Sequence, residues 1–167
     1  MITEGKKRRL VICSAMFIAS ILLMCGSAQA TDLDGVGTWA PSVDASDLTG
    51  GAGTNLATSC ESAADQITLD ITNAPSENGW RIDVRRTDIH WHNNLTLSVR
   101  RTGDGTGLGT ILGGASYLPV SPSSSAFFSG LLDRLAVPLQ IKLSGLSVAI
   151  PSDTYSTTLT FTVVDNE

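Results

Sequence analysis

The chain is short of the residues on which most catalytic or covalently braced folds depend: it has three cysteines, two histidines and 5% aromatic residues among 167. Cys13 and Cys25 lie in the first thirty residues, so the remainder holds Cys60 alone and no disulfide can form within it. The 137 residues from Thr31 onward must be held by an unbraced hydrophobic core, which a chain of that length can build. Cys60 is expected as a small buried side chain, with pairing to a second chain as the alternative. The only histidines, His90 and His92, share one short segment, and no serine stands in a Gly-x-Ser-x-Gly setting. With no acidic pair singled out either, no enzyme is expected and no cofactor is implied. Positive charge is scarce. Of eleven basic and sixteen acidic residues, Lys6, Lys7, Arg8, Arg9 and Glu4 fall in the first thirty, leaving seven against fifteen. So acidic a remainder excludes general nucleic-acid binding, which needs a basic surface. After Met24 no apolar run approaches the roughly 20 residues of a spanning helix, so no membrane span is expected beyond the leader.

What is present begins with an address. Lys6 to Arg9 form a charged start, Leu10 through Met24 an apolar middle, and Ala28-Gln29-Ala30 a small-residue cleavage pattern. Residues 1–30 read as a secretory signal peptide, which predicts an exported protein, periplasmic, cell-surface or extracellular, beginning at Thr31. A retained anchor and lipidation at Cys25 are the alternatives; the run is short for the first, and Met24 is bulky for the second.

Residues 31–59 are rich in Gly, Ser, Thr and Asp and read as a flexible lead-in, with one short strand near Val36 to Trp39. The pattern sharpens in residues 60–167, read as the folded domain. Ile67, Leu69 and Ile71 alternate with polar neighbours, as do Trp80, Ile82 and Val84, then Leu95, Leu97 and Val99, then Leu139, Ile141 and Leu143, then Leu159, Phe161 and Val163. Leu146 to Ile150 adds a further strand, and Ala126 to Leu132 is the one stretch where a short helix is expected. The glycines of 103–109 and 113–114 mark a mobile loop region. Seven or eight strands at this spacing predict an all-β fold, a single antiparallel β-sandwich, with an open-ended barrel as the alternative.

The closing stretch, Ile150-Pro151-Ser152-Asp153-Thr154-Tyr155 followed by the Thr- and Val-rich run to Val164, resembles the C-terminal end of secreted bacterial immunoglobulin-like β-sandwiches of the pilin and spore-coat U kind. The resemblance covers about fifteen residues and implies an immunoglobulin-like fold. The Cys pair usual in pilin subunits has no counterpart, and the acidic segment from Thr31 lacks the alternation of a donor strand.

Three constellations carry possible chemistry. Asp88, His90 and His92 are two apart, and on an extended strand they project from one face, where they could share a zinc or copper ion; solvent-facing decoration is the alternative. Arg81, Arg85, Arg86, Arg100 and Arg101 are five of the seven later cations. If their two strands pair, Arg81, Arg85 and Arg100, with Trp91 nearby, form a basic face for an anionic glycan, a headgroup or an acidic neighbour. The alternative pairs these arginines with Asp83, Asp88 and Asp104 as surface salt bridges. Trp39, Trp91, Tyr117 and Tyr155 offer stacking surfaces, whereas Trp80 is in phase with the core. Gly50 to Leu56 is similar to one calcium-binding nonapeptide unit, a unit that works in arrays, and Asn94-Leu95-Thr96 is a glycosylation triplet.

The expected function is that of an exported non-catalytic β-sandwich, a structural or surface-assembly component whose partners are itself or other surface proteins. The alternative is a secreted ligand-binding module for glycan or metal, using the Arg81 to Arg101 face and His90 with His92.

Overall fold

The computed structural model describes residues 30–50, 54–75 and 78–166. The expected leader, apart from Ala30, and Gly51 to Gly53 of the nonapeptide-like segment lie outside the described residues. Ten strands form: β1 (Asp32–Val36), β2 (Ser59–Glu61), β3 (Ile67–Thr72), β4 (Trp80–His90), β5 (Thr96–Arg101), β6 (Ile111–Gly113), β7 (Leu118–Pro119), β8 (Ser125–Gly130), β9 (Arg134–Ser144) and β10 (Ser156–Asp165). They build two antiparallel sheets. One runs β1-β3-β9-β5-β7 with β2 also on β9, and the other runs β10-β4-β8-β6. Among the described residues no helix is long and apolar enough to cross a membrane.

Side-chain alternation explains the layering. In β3 the residues Ile67, Leu69 and Ile71 are buried while Thr68, Asp70 and Thr72 are not, and in β4 Trp80, Ile82 and Val84 are at most 1% exposed. These rows meet Val99 of β5 and Val137 and Leu139 of β9 in one core between the sheets. Each such side chain, fully withdrawn from water, contributes about 2 kcal/mol before entropy is counted. Trp80 sits edge-on to Phe128 at 5.9 Å, and its indole N–H donates to the Leu132 carbonyl at 2.9 Å. Gly130 is required beneath it, since a Cβ there would lie 2.5 Å from the indole ring.

β2 and β3 are two halves of one strand on the same edge of β9, interrupted by Ser62 to Gln66. Ser62 keeps the ladder intact across the break: its N–H donates to the Ile141 carbonyl, and its hydroxyl accepts the Ile141 N–H, both at 2.9 Å. A second irregularity lies in β9, where Ala136 adopts φ 51° and donates its N–H to the Asp70 carboxylate at 2.6 Å.

Several expectations are corrected. Ala126 to Leu132 is not a helix: residues 125–130 form β8, and a bulge against β4 turns both Phe127 and Phe128 inward, which erases the alternation that marks a strand. Leu146 to Ile150 is a turn closed by the Ile150 N–H on the Ser147 carbonyl. Among the described residues the strands number ten, not seven or eight, because β2, β6 and β7 are only two or three residues long and leave no period to read. The first strand lies at Asp32–Val36, earlier than Val36 to Trp39, and joins the six-stranded sheet through five pairs with β3. The glycine segment 103–109 is tied down: Thr106 and Leu135 exchange two backbone hydrogen bonds of 2.8 Å, and the buried Arg134 guanidinium donates to the carbonyls of Gly107 and Gly109.

Candidate functional site

The most distinctive surface is the outer edge of β10. Its sequence, Ser-Thr-Thr-Leu-Thr-Phe-Thr-Val-Val-Asp, alternates Thr with larger apolar residues and carries no charge or proline before Asp165. β10 pairs with β4 from Ser156 to Asp165. Among the described residues no backbone hydrogen bond reaches its other side. Leu159, Phe161 and Val163 point toward the core but stay half-buried, unlike their buried neighbours Ile82 and Val84 on β4. Beside this edge a groove of about 930 Å³ opens between the sheets, floored by Ile67, Leu69 and Ile141 and walled by Trp39, Trp91 and Tyr155.

One end of this edge is latched. Thr31 donates its backbone N–H to Asp165 Oδ2 at 3.2 Å and its hydroxyl to Asp165 Oδ1, tying the start of β1 to the end of β10. At the other end the turn before β10 folds over the last residues of β4. Tyr155 donates its hydroxyl to the Pro151 carbonyl at 2.8 Å, and the rings of His90 and His92 lie 5.4 and 5.8 Å from it.

The proposed metal ligands do not share a strand face. β4 ends at His90, and Ile89 bulges out of the pairing with β10, 75% exposed, so the two-residue spacing fails beyond Asp88. Asp88 instead accepts from Arg86 and from the Thr157 hydroxyl. His90 Nδ1 lies 3.1 Å from the Thr154 carbonyl and its Nε2 3.7 Å from Asp153, while His92 Nδ1 accepts the Asn94 N–H at 3.2 Å. Among the described residues no group of three or more His, Cys, Asp or Glu is placed to hold a metal ion.

The joint arginine face also fails to form, because its condition is unmet. β4 and β5 do not pair; they belong to opposite sheets, which separates Arg81 and Arg85 from Arg100. Arg81 pairs with Asp83 at 2.6 Å, Arg86 with Asp88 and Arg101 with Asp104, the salt bridges weighed as the alternative. Arg85 is exposed on the outer face of β4. Arg100 lies on the outer face of the other sheet, forked onto Gln140 Oε1 at 2.7 and 3.0 Å and stacked on Tyr117 at 4.6 Å. Burial pushes the Tyr117 phenol upward, with the nearby Glu61 adding to the shift and the Arg100 charge opposing it. Trp91 is half-buried, covered by the Arg86 guanidinium at 5.3 Å, and donates to the Leu95 carbonyl at 3.1 Å.

Cys60 is a free, half-buried thiol on β2, and burial, then the Asp47 carboxylate, pushes its pKa up. What sequence reasoning missed is the groove, whose walls come from segments more than a hundred residues apart. One legible signal was the missing charge in the final strand, since edge strands are commonly guarded by Lys, Pro or inward charge. The described residues form an all-β domain of two packed sheets in which no metal cluster is assembled. No protein-family model, curated protein or solved structure matches the chain.

Proposed function

We propose that this chain is an exported, non-catalytic β-sandwich that serves as a structural or surface-assembly component, with the free edge of β10 and the adjoining groove as its contact surface. The observation that carries the reading is the ten-residue edge strand, neutral up to Asp165, beside an apolar groove of about 930 Å³. An unpaired edge of this kind offers main-chain hydrogen bonds to an incoming strand, and the groove takes that strand's inward side chains. The basic, apolar and small-residue succession of residues 1–30 supports export, and the closing stretch supports an immunoglobulin-like arrangement of the sandwich.

The test is the mass distribution of protein recovered after export, by light scattering on size exclusion, with and without reductant and chelator. Species larger than one chain that survive both treatments are expected. Loss of these species on reduction reassigns the contact to Cys60, and loss on chelation reassigns it to His90 and His92. A strict monomer in every condition, free in the export compartment, overturns the assembly reading.

A further inference from the structure

We infer that the partner at the β10 edge is a second copy of this chain, joined by antiparallel β10-to-β10 pairing about a twofold axis at Thr160. The pairing presupposes the assembly role proposed above and names its partner.

The strand edges of the two sheets are unequal. β1 is five residues long and carries Asp32 and Asp34, so two such edges would repel. β2 is three residues long and ends in Glu61, β6 is three and ends in glycine, and β7 is two and ends in Pro119. Short, charged or proline-tipped edges are poor templates for pairing. Among the described edges β10 alone combines length with neutrality, and its alternation makes it complementary to itself. With Thr160 opposite Thr160 of the second copy, Thr158 faces Thr162 and Leu159 faces Phe161.

The first two of these pairs lie on the outer face, the face that Arg85 occupies directly across from Thr160 on β4. Threonine pairs across strands hydrogen-bond there, and no like charges stand opposite one another. The third pair lies on the inner face. It brings Leu159 and Phe161 of the second copy over the groove and covers the half-buried Leu159 and Phe161 already there. A twofold contact uses the same patch on both chains, and the result is one continuous eight-stranded sheet.

Cysteine cross-linking tests the axis. The full chain is expressed with its leader and purified after export, in a Cys60→Ala background so that the introduced thiol is the only one outside the leader. Thr160→Cys is expected to oxidise to a covalent dimer, because directly opposed residues place their Cβ atoms within disulfide reach. Thr158→Cys alone should cross-link poorly, yet form a heterodimer when mixed with Thr162→Cys. The double variant Thr158→Lys/Thr162→Lys sets like charges opposite each other twice and should weaken the dimer at least tenfold, with unchanged circular dichroism and melting as the check on folding. If large species persist in that variant, or Thr160→Cys stays uncrosslinked within them, twofold β10 pairing is overturned while the assembly role stands. Equal cross-linking of Thr158→Cys and Thr160→Cys overturns the register, and a complex with a different protein overturns the second copy. A monomer at all concentrations removes both readings.

Discussion

The two flanks of the sandwich start from the same kind of sequence and end in different states. On the β3–β9 flank, Leu69, Ile71, Val137 and Leu139 are at most 1% exposed: β1 continues the sheet beyond β3, and Trp80, Ile82 and Val84 of the other sheet share their core. On the β10 flank, Leu159, Phe161 and Val163 alternate just as cleanly and remain half-buried over a groove. Alternation reports which side chains face inward; it does not report whether anything lies beyond them. Among the described residues no strand pairs with the outer edge of β10, and that, not weaker alternation, separates the two flanks.

Core truncation breaks the comparison hardest. Trp80→Ala removes the largest fully buried side chain and should cost about 3–5 kcal/mol, measured by urea unfolding. Phe161→Ala, on the open flank, should cost less than half of that; an equal loss would mean the groove is closed in solution. Next comes Gly130→Ala, whose added methyl would lie 2.5 Å from the Trp80 ring and should destabilise by about 1–3 kcal/mol, with no corresponding constraint anywhere along β10. Asp165→Ala frees Thr31 at the latched end of the open flank; a loss of about 1 kcal/mol is expected, together with faster amide exchange across β1. The smallest effect belongs to Cys60. Its pKa is raised in the folded chain above the ordinary 9.0, so unfolding releases the thiol proton more readily, and stability should fall as pH rises through and above 9. Cys60→Ala should flatten that decline, and a decline identical in both proteins would remove burial as its cause.

Legibility followed the length and regularity of each strand. β3, β4, β5 and β10 announced themselves through strict alternation, and the two-layer arrangement followed from their number and spacing. β8 did not, because its bulge places Phe127 and Phe128 on the same side, a pattern that reads equally as part of a helix. β1 lay hidden because Asp32, Gly35 and Asp34 are poor strand formers, held there by pairing with β3. At the site, Tyr155 and the uncharged run of β10 were visible in sequence, whereas the approach of Trp39 depends on the chain folding back. The arginine face rested on the pairing of β4 with β5, which alternation alone cannot decide, and the two strands belong to different sheets.

The Thr31–Asp165 latch gives the molecule a direction. β10 runs about 30 Å from that corner to Ser156, beside Tyr155, which lines the groove and packs against the rings of His90 and His92. A tether holding the chain from the Thr31 side or from the Asp165 side therefore pulls on the same corner and leaves the opposite end facing away from the anchor.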